Sequence, residues 1–378
     1  MFERTKAFCD SFLELGLPGF DLAIMHKGEC VLRYMNGYSD LENKIKMNGS
    51  ERYNIYSCSK VITCVAAMQL YERGLFSLED KLSDYMPEFA HMTVADHGKI
   101  REATRPILIK HLFEMTAGFS YNCNSMRLRE AMADTEGKCP TRETMKYLAK
   151  DPLLFEPGER WEYGLCHDVL AALVEVLSGE RFETYVKKHI FDVARMDRSD
   201  FFPASEIDTV APQYSYKRGV AVNIGRDIPF YKIGSEYASG GAGCISTVED
   251  YIRFLESLRT YKLIKPETLA LMIEDRLTEA QRATYWTKET HGYGLGVRCP
   301  RGEPYYTDFG WGGAACAYLA VDMERELSLY FGAHMTGSPA QGLRTMLYRF
   351  ARAELFNHRE FDAVYADIER LGCYKLTY

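Results

Sequence analysis

The chain of 378 residues carries 46 Lys and Arg against 53 Asp and Glu, a net charge of −7, and 47% of it is hydrophobic against 26% charged. That balance belongs to a protein that buries a sizeable apolar core, and it excludes a disordered or fibrous chain. The acidic excess offers no basic field to a nucleic acid, and a typical domain size gives about two to three units, or one core with a large insertion.

Phe2 to Leu15 has apolar residues at helical spacing, and Gly16 with Pro18-Gly19 ends the pattern. The start of the chain, Met1 to Asp10, lacks the apolar segment and small-residue cleavage site of an export signal, so a cytoplasmic protein is expected. Two extended runs follow, Asp21 to Met25 and Cys30 to Met35, joined by His26-Lys27-Gly28-Glu29, which reads as a β-hairpin. From Ser57 the pattern is helical to about Gly74; its apolar stretch, Val61 to Leu70, falls well short of the ~20 residues of a bilayer span. No membrane partner is expected.

From there to about Ser235 the chain reads as short helices (Ile109 to Glu114, Arg142 to Lys150, Asp168 to Leu177, Phe182 to Phe191) with proline-containing links that include Pro152 and Pro203. Thr247-Val-Glu-Asp250 has the form of a capping box and opens a helix to about Leu258. Strand patterns return at Tyr293 to Cys299, Ala317 to Val321 and Leu327 to Phe331, the last two joined by a turn at Asp322 to Arg325. Ser338-Pro339 then opens a helix with Leu343, Leu347 and Phe350 on one stripe. Strands near both ends with helices between predict an α/β (α+β) fold: an antiparallel sheet flanked by helices, built from residues 1–74 and 236–378, and a mostly helical inserted lobe over 75–235.

The segment Tyr56-Ser57-Cys58-Ser59-Lys60 carries the chemistry. If a helix begins at Ser57, the hydroxyl of Ser57 and the amine of Lys60 share a face. The competing reading is an N-capping serine and an ordinary lysine. Against it, a cation in a first helical turn opposes the helix dipole by roughly 0.3 to 1 kcal/mol, and this helix is apolar nearly all round. A lysine buried there has a lowered pKa and suits a general base toward the neighbouring hydroxyl. The backbone N–H of Ser57 at the helix start would serve as an oxyanion donor. Ser59 is adjacent to Lys60 and does not share its face.

Further segments recur in a set order: Leu17-Pro-Gly-Phe-Asp-Leu-Ala-Ile24, Ser57-Cys-Ser-Lys60, Leu70-Tyr-Glu-Arg-Gly-Leu75, His111-Leu-Phe-Glu-Met-Thr-Ala-Gly118, Phe155-Glu-Pro-Gly158, Tyr163-Gly-Leu-Cys-His-Asp168 and Ser239-Gly-Gly-Ala-Gly243. In this order they resemble the serine β-lactamase and penicillin-binding-protein-like superfamily, in the branch of class C β-lactamases, DD-peptidases, family VIII carboxylesterases and lovastatin-type acyltransferases. The closest motif likeness is to the family VIII carboxylesterases. The resemblance implies a β-lactamase/transpeptidase-like fold with the site between sheet and helical lobe.

It also implies that Tyr163, after Phe155-Glu-Pro-Gly158, is a phenol held by Lys60 that takes the proton of Ser57 and passes it to the leaving group. The family's asparagine two residues after this tyrosine is Leu165 here, an apolar group in place of an amide. His167 beside it opens a Ser-His reading, although nothing in the spacing aims it at Ser57. The family's strand motif of Lys or His, Thr or Ser, then Gly corresponds to Gly310-Trp311-Gly312-Gly313-Ala314, as in esterase-like members. Gly312 and Gly313 would let substrate approach the strand backbone, and the N–H of Ala314 would be the second oxyanion donor. Trp311 cannot supply the cation that holds a substrate carboxylate. Tyr121 and Asn122 would line the acyl pocket by the same resemblance.

The expectation is a serine hydrolase acting through an acyl-enzyme on a small neutral or apolar ester or amide, with no cofactor and no metal. Three alternatives stay open: acyl transfer to a small-molecule acceptor, cleavage of a β-lactam or D-amino-acid peptide, and a binding protein on a retired hydrolase fold. The missing cation counts against the second, and the presence of Ser57, Lys60 and Tyr163 counts against the third. Gly241-Ala-Gly243 lacks the last glycine of a dinucleotide loop, and there is no H-E-x-x-H and no G-x-S-x-G elbow. Eleven cysteines run from Cys9 to Cys373 without a C-x-x-C pair and read as reduced core residues. Cys58 and Cys166, beside the nucleophile and the tyrosine, would make activity thiol-sensitive.

Overall fold

A computed structural model describes residues 1–201, 204–227 and 231–370. Pro203 and Cys373 lie outside the described residues. The first helix, α1 (Glu3–Glu14), leads into the hairpin β1 (Gly19–His26) and β2 (Glu29–Asp40), followed by the short strands β3 (Ile45–Lys46) and β4 (Tyr53–Asn54). His26 pairs with Glu29, so the connection is the two-residue turn Lys27-Gly28, both at positive φ (52° and 83°). Such a turn matches the right-handed twist of the strands, which explains why the hairpin is longer than the alternation alone predicts.

A 3₁₀ turn (Tyr56–Cys58) runs directly into α2 (Ser59–Glu72). The middle of the chain holds the hairpin β5 (Thr93–Asp96) and β6 (Lys99–Glu102), then α3 (Ile109–Phe113), α4 (Met126–Asp134), α5 (Thr141–Leu148), α6 (Cys166–Ser178), α7 (Phe182–Val186) and α8 (Asp192–Ala194). A second hairpin, β7 (Gln213–Lys217) and β8 (Val220–Gly225), precedes β9 (Ile245–Ser246), α9 (Val248–Arg259), α10 (Pro266–Met272) and α11 (Glu279–Ala283). The remainder is β10 (Gly292–Tyr293), β11 (Arg298–Cys299), β12 (Phe309–Gly312), β13 (Tyr318–Asp322), β14 (Leu327–Ala333), β15 (Met335–Thr336), α12 (Ala340–Leu343), α13 (Met346–Phe356) and α14 (Phe361–Arg370).

Among the described residues the main sheet has eight strands in the order β10-β11-β12-β13-β14-β1-β2-β3, with every pairing antiparallel. The first hairpin therefore docks on a strand from near the other end of the chain: Phe20 sits opposite Ala333 and His26 opposite Leu327. Both faces of this sheet are covered, so its central strands read as continuous apolar runs. Phe20, Leu22 and Ile24 of β1 and Leu327, Leu329 and Phe331 of β14 point to one face, where α1 and α13 bring Phe8, Phe12 and Phe350. Ala23, Leu319, Val321 and Tyr330 point to the other, toward α2 and α9.

Three expectations need correcting. The α-helix begins at Ser59, with Ser57 in the preceding 3₁₀ turn. The run Tyr293 to Cys299 is two short strands, because Gly296 turns back at a φ of 84°. The single helix expected after Ser338-Pro339 is interrupted at Arg344-Thr345. The hairpins β5-β6 and β7-β8 were hidden because their alternation is short and largely solvent-exposed. Among the described residues no helix is long and apolar enough to cross a membrane.

Leu329 is fully buried at the centre of the sheet. Its truncation to alanine is expected to lower stability by about 2–5 kcal/mol. Urea unfolding should show this as a lower midpoint at an unchanged slope.

Candidate active site

The turn that carries Ser57 is held by buried hydrogen bonds on three sides. Ile55 N–H donates to the Cys244 carbonyl (3.1 Å), Ser59 Oγ donates to the Tyr56 carbonyl (2.6 Å) while accepting from Cys244 N–H (3.0 Å), and Tyr251 OH donates to the Cys58 carbonyl (2.7 Å). Ser59 is thus a clamp. Tyr56 takes a φ of 49°, a left-handed conformation that strains a bulky aromatic residue. Such outliers persist where the surroundings over-determine them, as at functional sites.

Lys60 is completely buried, yet its Nζ reaches the site: it donates to the Gly241 carbonyl at 2.7 Å and lies 3.4 Å from Ser57 Oγ. The same Nζ stands 4.6 Å from the ring centre of Tyr163 and 5.3 Å from that of Tyr121, and those two rings stack at 5.2 Å. The cation is therefore sandwiched between a carbonyl, a hydroxyl and two π-faces. These groups open onto a cavity of about 310 Å³ whose lining includes Ser57, Tyr121, Tyr163, Trp311, Gly312, Gly313 and Ala314. At its mouth Trp286, 63% exposed, packs against Tyr163 at 4.8 Å.

The strand β12 forms the opposite wall. A Cβ on Gly313 would lie 2.3 Å from the Ile55 carbonyl, so only glycine lets the strand end close against the Ser57 turn. This contact brings Ala314 to the same cavity as Ser57.

The sequence signals missed two features of this wall. Arg344, at the interruption between α12 and α13, donates to the Gly313 carbonyl and sits where a Gly312 side chain would be. Among the described residues it pairs with no carboxylate, so the cavity does contain a cation. The expectation of a site without one holds only for the strand itself, because this guanidinium arrives from a helix break 31 residues after Gly313 that no spacing rule links to it. Trp286 went unnoticed for the same reason, lying in a loop without a motif. A second arginine of the lining, Arg298, is already neutralised by buried Asp308 (2.5 Å) and by the Tyr318 hydroxyl (2.7 Å).

Not every candidate reaches the cavity. Leu165 begins α6 with its side chain in the core, and Asn122 is on an exposed loop where its Oδ1 accepts from Asn124 N–H. Neither lines the cavity. His167 is buried, with Nε2 beside the Phe113 carbonyl (3.3 Å) and Cys64 Sγ (3.6 Å). Burial, and after it the nearby Lys60, pushes its pKa down to about 3, so it is a neutral core histidine that does not line the cavity. Cys58 and Cys166 are fully buried, and burial raises each thiol to about 12. Among the described residues no cluster of His, Cys, Asp or Glu could hold a metal.

A family model for the β-lactamases matches residues 5–352, and the chain belongs to that family. It is 27% identical over 291 residues to esterase EstB of Burkholderia gladioli, covering 71% of this chain and 72% of that one. It is 28% identical over 326 residues to acyltransferase calJ of Penicillium decumbens, covering 76% of this chain and 77% of the relative. Among solved structures it is similar to EstCE1, a hydrolase with promiscuous acyltransferase activity, at a TM-score of 0.77 and 23% identity over 92% of this chain and 97% of the other. That last likeness is one of fold. The chain is accordingly a serine hydrolase of the β-lactamase-related type.

Two outcomes follow from the geometry. Gly313→Val should lower ester turnover by about 100-fold or more while the far-ultraviolet circular dichroism stays native, since the side chain would push β12 off the Ser57 turn. Turnover of the wild type should be unchanged by iodoacetamide at pH 7, because alkylation requires the thiolate and burial pushes up the thiols of Cys58, Cys64, Cys123 and Cys166 around Lys60.

Proposed function

We propose that the chain cleaves small esters through an acyl-enzyme on Ser57, with Lys60 and Tyr163 managing the proton and the N–H groups of Ser57 and Ala314 receiving the oxyanion. The observation that carries this reading is the 3.4 Å approach of Lys60 Nζ to Ser57 Oγ on a cavity that Tyr163 and Ala314 also line. As Oγ attacks the acyl carbon, its proton passes to the Lys60–Tyr163 pair and then to the departing alkoxide, and negative charge builds on the former carbonyl oxygen. Water, or an alcohol occupying its place, then releases the acyl group. Transfer to an alcohol uses the same intermediate, in keeping with acyltransferases among the relatives.

The lining favours a flat apolar acyl group, stacked among Tyr121, Trp286 and Trp311, as expected of a neutral or apolar ester. Arg344 extends the preference: an ester bearing a carboxylate can reach an unpaired guanidinium at the same wall. The preferred substrate is thus an ester with an aromatic or aliphatic body and, in departure from the neutral ester expected from the strand motif, one acidic group for Arg344.

Ser57→Ala should abolish turnover of p-nitrophenyl esters, by about 1,000-fold or more, together with the acyl adduct seen by intact mass. Undiminished turnover in that variant would reject Ser57 as the nucleophile. Arg344→Met should raise KM about 10-fold or more for an ester carrying a carboxylate and leave KM for its neutral analogue within about twofold. Equal effects on both esters would remove the acidic group from the assignment.

A further inference from the structure

Apart from the cavity of Ser57, a groove of about 440 Å³ lies between α3 and the start of α11, and the two share no lining residue. Cations from three segments line it: Arg105 from the link before α3, Lys110 on α3, and Arg276 from the link between α10 and α11. His111 is the buried polar side chain of its wall, 7% exposed. Its Nδ1 accepts from the Leu108 N–H at 3.1 Å, so the neutral ring carries its proton on Nε2. That N–H has no hydrogen-bond partner among the described residues. A Cβ on Gly158 would lie 3.0 Å from His111 Nε2, so a residue without a side chain, at a φ of 81°, leaves the donor open to the groove. Burial first, then the charges of Lys110 and Arg105 against that of Glu79, pushes the pKa of His111 down to about 4, which keeps the ring a neutral donor at neutral pH.

The acids around the groove are already engaged. Glu79 accepts from Lys110 with both oxygens at 2.8 Å, and Glu114 accepts from Arg276 Nε at 2.9 Å, with Glu274 3.6 Å from Arg276 Nη1. Glu156 accepts from the Arg101 guanidinium and from the backbone N–H groups of Thr104 and Arg105. Among the described residues the Arg105 guanidinium has no carboxylate and Arg276 Nη2 has no acceptor. An unmatched cation, a second guanidinium with a free edge and an unmet N–H on a buried ring therefore face one space. Together they call for an anionic acceptor.

We propose that this groove binds a phosphoryl group, free or on a small monoester, through Arg105, Arg276 and the Nε2–H of His111. A carboxylate presents two oxygens in one plane, which a single guanidinium satisfies, whereas a phosphate dianion offers three or four oxygens to donors from separate segments. The groove is also wider than a bare ion needs, leaving room for the organic body of a monoester. Bound there, the ligand would bridge α3 to the segment that Gln281 already ties to the Gly158 carbonyl at 2.9 Å. The inference does not depend on the assignment of Ser57.

The test is calorimetric titration of wild type, Arg105→Met, His111→Asn and Arg344→Met with inorganic phosphate, phenyl phosphate and benzoate, at a pH of about 8 where phosphate is a dianion. Asn keeps an acceptor for the Leu108 N–H and removes the Nε2 donor. Both phosphates should bind wild type and Arg344→Met within about twofold of each other, and Arg105→Met and His111→Asn should each weaken them about 10-fold or more. Tighter binding of phenyl phosphate than of phosphate would identify a monoester, and the reverse free phosphate. No saturable binding of either up to about 10 mM would overturn the proposal. Binding lost in Arg344→Met and kept in Arg105→Met would place the anion in the Ser57 cavity and overturn it equally, as would binding that neither variant changes. Benzoate bound as tightly as phenyl phosphate, and weakened by Arg105→Met, would overturn the phosphoryl class. If His111→Asn does not fold, the exposed Arg105→Met decides alone.

Discussion

The buried amine of Lys60 is the constraint around which the site is organised. An ammonium group removed from water is tolerated only where acceptors and opposite charge replace its hydration. Here the Gly241 carbonyl, the Ser57 hydroxyl and two tyrosine faces do so, and each comes from a different part of the chain. The helix bearing Lys60 can therefore be buried only if the Tyr121 and Tyr163 loops and the Ser239–Gly243 segment all close on it. Thr63, one turn further along α2, fastens the last of these by donating to the Gly240 carbonyl at 2.7 Å. Folding of the middle segment and assembly of the site are in this sense the same event.

The sheet contributes rigidity at the other wall. Its central strands are apolar on both faces, between α1 and α13 on one side and α2 and α9 on the other, so β12 has little freedom to shift. Beneath it the ion pair of Arg298 with Asp308 is fully buried and tied to the Tyr318 hydroxyl and the Leu319 carbonyl of β13, which fixes the register of the strand that ends in Gly312. Glycine at 313 then sets how closely that strand can meet the Ser57 turn. Strain at Tyr56 on one side and a rigid strand end on the other bring Ser57 and Ala314 to one cavity.

Much of this was legible because it depends on local periodicity or on residues close in sequence. The first hairpin, α2, α6 and α9 follow from apolar spacing, and the Ser57–Lys60 pairing follows from helical geometry even though the turn at Ser57 is 3₁₀. Reading Leu165 as a recognition residue failed for a physical reason: the start of α6 is buried, so an apolar side chain there belongs to the core. Asn122 failed oppositely, its amide being absorbed by its own loop. The thiols of Cys58 and Cys166 are near the site along the chain but face into packed apolar surroundings.

By itself the sequence determined the class of the chain, a serine hydrolase with a covered antiparallel sheet, and it singled out Ser57, Lys60, Tyr163 and the glycine strand as the candidate site, since these are written in contiguous motifs. Only the tertiary structure decided what shares the cavity with them. Arg344 enters through a helix break and Trp286 from a loop without pattern. None of these contacts has a period or a spacing along the chain. They arise from the close packing of segments far apart in sequence, and that packing is set by the burial of one lysine and the two covered faces of one sheet.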